Sequence, residues 1–173
     1  MKTVYLLRHA KSSWDDPYLD DHDRPLAPRG LKAAPIMGQV LASFENPPTL
    51  AISSTAARAH HTATIVSNVF HDQELPLAVK TDARIYGASL QTLLEIMQAL
   101  PSQQDTVLLV GHNPEMEGIV SILCTGRVEG NIRMPTAAAA CLTFDVGAWD
   151  QIGGGYGTLN VLITPKLAKR LVK

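Results

Sequence analysis

Apolar positions along this chain follow two alternating rhythms. Residues 3–7 (TVYLL), 50–52 and 106–110 (TVLLV) are short apolar runs and read as strands. The third is continuous enough to be buried on both faces of a sheet. Between the runs the spacing lengthens to that of helices. Leu31, Ala34, Gly38 and Leu41 mark one helix, which Pro35 is expected to kink. Ala59, Ala63, Val66 and Val69 or Phe70 mark a second. Leu90, Leu93, Leu94, Met97 and Leu100 mark a third, with Ser89 as N-cap and Pro101 as its stop. Residues 115–124 form a fourth after the Asn113-Pro114 break, with proline in the first turn. The rhythm then shortens again. Residues 137–146 and 158–164 are strand-like, separated by a hairpin-type loop containing Gly153-Gly154-Gly155.

Strands that alternate with helices predict a three-layer αβα sandwich around a mainly parallel sheet, and the closing strand pair adds an antiparallel component. A length of 173 residues suits one domain over 1–173 with one substantial core. Fifteen Lys plus Arg against 16 Asp plus Glu give a formal charge of −1, which offers no basic field for nucleic acid. The basic terminus, PKLAKRLVK, reads as a solvated tail or helix end. No apolar run approaches the roughly 20 residues that span a bilayer, and nothing at the start resembles an export signal. A cytoplasmic monomer is the expectation, with Cys124 and Cys141 as free buried thiols and no metal site or cofactor.

In open α/β sheets ligands bind beyond the carboxyl ends of the strands. Three strand ends here carry unusual chemistry. The first leads into Arg8-His9, the second into Ser53-Ser54 and Arg58, and the third into Gly111-His112-Asn113. If the three strands are parallel neighbours, two arginines and two histidines meet in one crevice. Arginine forks suit phosphate oxygens, and a histidine held in one tautomer can attack phosphorus. Taken singly, Arg8 reads as a surface charge and His112 as a satisfied histidine at a helix start. Repetition at three strand ends is what favours phosphoryl chemistry. The adjacent pair His60-His61 faces different sides of a helix and is not read as a chelate.

At these residues the sequence resembles the histidine phosphatase superfamily, the phosphoglycerate-mutase-like phosphatases. The stretch "RHAKSSW" (8–14) is similar to that family's RHGxTxWN, with Ser12 at its threonine and Trp14 at its tryptophan. "STAARAHHTA" (54–63) is similar to SxxxRAxxTA, and "VLLVGHNPEME" (107–117) to the segment of the second histidine. RHAKS, "DHDRPLAPRG" (21–30), VGHNP and "PTAAAA" (135–140) resemble the SixA-type phosphohistidine phosphatases in particular. The resemblance implies that His9 is the nucleophile that becomes phosphorylated. It implies that Arg8 and Arg58 hold the phosphoryl oxygens and that His112 completes the pocket. Ser12 and Asn113 are further candidate substrate contacts, and Arg24 is either another phosphate contact or half of a structural ion pair.

Two positions depart from the family pattern. Asp15 stands where asparagine is common, and an acid there would repel phosphate unless neutralised or turned away. Many ester-cleaving members carry a glutamate acid in NERxYG, where this chain has Asp82-Ala83-Arg84-Ile85-Tyr86-Gly87, with Ala83 at the glutamate. Asp82, Glu115 and Glu117 are the alternative acids. An alkoxide needs a proton to leave, whereas a protonated imidazole leaves phosphorus as a neutral ring. The expected substrate is therefore phosphohistidine on a protein, such as a signalling phosphotransfer domain. The alternatives are a small-molecule phosphomonoesterase on the same fold and a non-catalytic phosphate-binding protein.

Overall fold

The computed structural model describes residues 1–172. Its centre is a six-stranded sheet built from β1 (Lys2–Arg8), β2 (Leu50–Ser53), β3 (Ala78–Thr81), β4 (Thr106–Gly111), β5 (Ala139–Phe144) and β6 (Thr158–Ile163). Their spatial order is β3-β2-β4-β1-β5-β6. The first four in that order are parallel, and β5 runs antiparallel to both β1 and β6. The three strands singled out from the sequence are thus parallel neighbours.

Alternation along β1 assigns its side chains to two cores. Val4 and Leu6 join Val107, Leu109, Leu142 and Phe144 beneath α3 (Leu90–Gln98) and α4 (Glu115–Thr125). Tyr5 and Leu7 join Leu108, Val110 and Cys141 beneath α1 (Pro28–Ala42), α2 (Ala57–Asp72) and α5 (Pro165–Leu171). Both faces of β4 are covered, as its unbroken apolar run predicts, and so are both faces of β1. This is the expected three-layer arrangement. Ser89 caps α3 by accepting the Thr92 N–H at 3.0 Å. Among the described residues no helix is long and apolar enough to cross a membrane.

Several details differ from the sequence reading. The exposed edge strand β3 was absent from it, because AVKT has no apolar run and the strand pairs only with β2. Helix α1 starts earlier, with Pro28 in its first turn, and continues through Pro35. Its buried face includes Gly30, Ala34, Met37, Gly38 and Leu41, so three of the four positions read from the sequence are buried, and only Leu31, 44 % exposed, lies off the face. Pro114 is the N-cap of α4 and not part of its first turn, and the Asn113-Pro114 peptide is cis. Residues 145–157 join β5 to β6 and include a 3-10 turn at Trp149–Gln151, so Gly153-Gly154-Gly155 is part of a longer connection. The basic terminus forms α5, with Lys173 outside the described residues.

Beyond β1 the chain folds back on itself. Ser12 bridges Leu26 in antiparallel fashion, the Ser13 N–H donates to the Pro25 carbonyl and the Ala27 N–H to the Lys11 carbonyl, both at 2.8 Å. The first turn of α1 consequently lies against the backbone of Lys11, where a β-carbon on Gly30 would overlap the Lys11 carbonyl oxygen. Backbone cannot yield as a flexible side chain can. Gly30→Ala is expected to lower stability by about 1–3 kcal/mol, the usual cost of overpacking. Urea denaturation of the two proteins measures it, and an unchanged midpoint would contradict this packing.

Candidate active site

Three hydrogen bonds extend the sheet just past its strand ends. The His9 N–H donates to the Gly111 carbonyl at 2.9 Å, the Ser54 N–H to Val110 at 3.0 Å and the Asp82 N–H to Ser53 at 2.9 Å. From the other side the Ala137 N–H reaches the carbonyls of Arg8 and His9. His9, Ser54 and His112 therefore leave the sheet at one level with fixed backbones. Arg58 arrives from the first turn of α2, which follows β2 after three residues.

His9 is buried, and its Nδ1 lies 2.7 Å from the Ala10 carbonyl oxygen. A carbonyl only accepts, so Nδ1 carries the proton and Nε2 presents its lone pair. The Nε–H of Arg58 donates to that lone pair at 3.3 Å. Burial lowers the His9 pKa to about 4, and the charges of Arg58 and Arg8 press the same way against the bond to Ala10. His9 is neutral at pH 7.

The His112 ring stands 5.0 Å from that of His9, centroid to centroid. Its Nε2 is 2.8 Å from the Ser54 hydroxyl, which already accepts the Ala56 N–H. The hydroxyl is thus placed to donate to Nε2. That leaves Nδ1–H of His112 as a buried donor with no hydrogen-bond partner among the described residues. Burial first, then the neighbouring His9 and Arg58, lower the His112 pKa to about 3.

Arg58 is held from behind. Its guanidinium donates to the Asp21 carbonyl and, at 2.8 Å, to the Asp21 carboxylate. Tyr86 donates its hydroxyl to the same carboxylate at 2.9 Å and sets its ring edge-on against both His112 and His22. Burial raises the Asp21 pKa, but the bonds from Arg58 and Tyr86 outweigh it and keep the group below the ordinary carboxylate range. Thr62, one helical turn after Arg58, donates to the Arg58 carbonyl at 2.7 Å and accepts the Ala10 N–H at 3.0 Å. One hydroxyl thereby couples the arginine's turn to the loop that orients His9.

Of the residues nominated from sequence, His9, Arg58 and His112 come together directly. Arg8 lies within electrostatic reach of His9, but its Nη1 donates to the Met134 carbonyl at 2.8 Å, the carbonyl that Asn113 also engages at 3.1 Å. Ser12 is buried at the bridge to Leu26. Arg24 lies 4.0 Å over the Trp14 ring, donates to the Asp16 carbonyl and stands 4.0 Å from the Asp21 carboxylate, while its buried Nε has no hydrogen-bond partner among the described residues. Asp15 is exposed and accepts the Ser13 hydroxyl at 2.7 Å. Asp82 binds Arg84 through both carboxylate oxygens, and Arg84 holds its pKa down. Glu117 accepts the Met134 N–H at 2.7 Å.

The residues not foreseen are Asp21, Tyr86 and the couplings through Ser54 and Thr62. A signal for two of them existed in the spacing, because Ser54, Arg58 and Thr62 recur at intervals of four.

Comparison with known proteins agrees with this geometry. Residues 4–86 match the model of the histidine phosphatase superfamily (branch 1). An uncharacterized protein of Mycobacterium tuberculosis is 30 % identical over 167 residues, covering 92 % of this chain and 100 % of that protein. A chloroplast protein of Arabidopsis thaliana is 30 % identical over 95 % of this chain and 78 % of its own. Among solved structures, a protein of Agrobacterium tumefaciens assigned as a phosphohistidine phosphatase, SixA, superposes with a TM-score of 0.78 at 29 % identity, covering 95 % of this chain and 98 % of that one. A SixA protein histidine phosphatase bound to tungstate has the same fold, with a TM-score of 0.78 at 24 % identity and coverages of 95 % and 97 %. The six-stranded sheet, the two histidines meeting across its carboxyl edge and these matches together place the chain in the histidine phosphatase superfamily, as a phosphatase.

Proposed function

We propose that this phosphatase removes phosphate from phosphohistidine carried on a protein, through a covalent intermediate on His9. The observation that carries the reading is the neutral His9 ring, with its Nδ1 proton held by the Ala10 carbonyl, its Nε2 lone pair turned toward Arg58, and the His112 ring 5.0 Å away. In the first step Nε2 attacks phosphorus and the bond from phosphorus to the substrate's ring nitrogen breaks. The electron pair goes to that nitrogen, and a substrate imidazole protonated on its other nitrogen leaves as a neutral ring. His9 becomes a phosphorylated imidazolium, whose positive charge the Ala10 carbonyl stabilises. In the second step water attacks phosphorus, the bond to Nε2 breaks, and the pair returns to the ring. One water proton goes to solvent, and phosphate leaves.

Arg58, with Arg8 nearby, neutralises the phosphoryl oxygens, and Nδ1–H of His112 supplies a donor to them. Three carboxylates near the site favour this substrate over an ester, and Glu115, the first residue of α4, is the one acid named from the sequence that they do not account for. Asp21 is bound by Arg58 and Tyr86, Asp82 by Arg84, and Glu117 by the Met134 N–H, so each is engaged as an acceptor. None of the three is set up to protonate an alkoxide. SixA, named as a phosphohistidine phosphatase, is among the structural relatives and supports the same substrate.

Phosphate release from a phosphohistidine-carrying protein and from a simple phosphate ester, in wild type and His9→Ala of matched folding, tests the reaction. We expect strong turnover of the first, little of the second, and a loss of about a thousandfold or more in the variant. Dominant ester turnover would assign the enzyme to small molecules. Activity that survives His9→Ala would remove the nucleophile, and tight phosphate binding without turnover would indicate a binding protein.

The pH dependence follows from burial. His9 must be unprotonated to attack, and its pKa lies near 4 in place of 6.5. The acid limb of kcat/KM, corrected for the substrate's own ionisation, is expected near pH 4; a limb near 6.5 contradicts the buried ring. Folding is linked to the same protons. Between about pH 6.5 and 4 the unfolded chain binds protons that folded His9 and His112 exclude, so stability is full above that window and falls as pH drops through it. Urea midpoints measured across the window show the slope, and His112→Gln should reduce it.

A further inference from the structure

Sheet geometry brings a fourth strand end to the reactive edge. Strand β5 is antiparallel to both β1 and β6, so β6 runs parallel to β1, and Leu7, Ala139 and Ile163 lie in one register. Thr164-Pro165-Lys166 therefore emerges level with Arg8-His9, two strands away, which is about 10 Å at ordinary strand spacing. Between those ends opens a cleft of about 270 Å³ that includes Lys11, Arg29, Thr136, Thr164 and Lys166. Lys11 follows His9 by two residues, and Thr136 precedes the Ala137 N–H that binds the His9 carbonyl. Gly30 against the Lys11 backbone fixes the start of α1, and with it Arg29, beside the cleft.

The lining has one electrostatic sign. Its remaining members are Ala33, Pro135 and Pro165, so it combines three cations, two hydroxyls and apolar surface with no carboxylate. Arg170 adds a fourth cation in the adjoining depression, which it shares with Thr164 and Lys166. Among the described residues none of these four cations forms an ion pair, although the whole chain carries a net charge of −1. Lys11, Arg29, Lys166 and Arg170 are all exposed. Such an array fits several carboxylates spread over a rigid surface and lying beside a group held at His9.

We propose that this cleft is the docking site for an acidic face of the protein that carries the phosphohistidine. The proposal rests on the phosphohistidine reading. It adds that protein substrates are selected by Asp and Glu side chains about 10 Å from the phosphorylated ring, the span of two strands.

The test uses the full chain and the double variant Arg29→Glu/Lys166→Glu, both positions being exposed and neither touching His9, Arg58 or His112. Phosphoimidazole serves as the small substrate, and a phosphohistidine-bearing domain with an acidic face as the protein substrate. At low ionic strength kcat/KM on the protein is expected to fall about tenfold or more and to lose most of its salt dependence, while turnover of phosphoimidazole stays unchanged. Equal losses on both substrates, or no loss on the protein, would overturn the proposal. A binding measurement separates its failure from failure of the phosphohistidine reading. Oligoglutamate should shift the backbone amide resonances of Lys11, Thr136 and Lys166 in the wild type and not in the variant, whether or not phosphoimidazole is turned over. Shifts centred elsewhere, or unaffected by the charge reversal, would exclude the cleft.

Discussion

Leu7, Val110 and Ser53 stand in one line across three parallel strands, and the functional edge of the molecule depends on that register. Because the strands end together, the next residues of each, His9, His112 and Ser54, leave the sheet at a common height. Side chains that must meet within a few ångströms are thus placed by backbone hydrogen bonds, the stiffest connections available. Both strand pairings lie between two apolar cores, so the register is also protected from slippage: a shift of one residue would exchange the two faces of β1.

Burial then determines the character of the histidines. Removing them from water favours the uncharged rings, and nearby Arg58 favours them further. The positive charge of the crevice is therefore concentrated on guanidinium groups, while the ring nitrogens remain chemically available. The carbonyl of Ala10 and the hydroxyl of Ser54 distinguish the two rings, giving one a free lone pair and the other a free N–H. Two copies of one side chain type are made complementary by a single contact each.

The order of strands and helices, the parallel centre and the antiparallel end were legible in the sequence because both faces of β1 and β4 are buried, which leaves continuous apolar runs. The same logic hid β3, whose exposed AVKT carries no such mark. It also missed the start of the α1 face, where Gly30 and not Leu31 is buried, by a close backbone approach that hydrophobicity does not record. His9 and His112 could be placed because each follows a strand end directly, and Arg58 because it stands in the first turn of the helix that follows β2. Asp21 and Tyr86 could not, since they come from separated turns and act through contacts across the crevice. Asp82 was legible as an acid but not as the partner of Arg84, two residues further along a 3-10 turn.

Arg58 in this structure is an occupied cation, with Asp21 bound to its guanidinium. In the proposed reaction a phosphoryl group would enter by exchange with a resident carboxylate, or by sharing the fork with it. Much of the dehydration of that guanidinium has then been accomplished during folding, and the side chain is ordered before any encounter. The same competition operates in the outward direction. A carboxylate that remains at hand to reclaim the arginine weakens the hold on free phosphate, so the tether that readies the site also favours its clearing after each turnover.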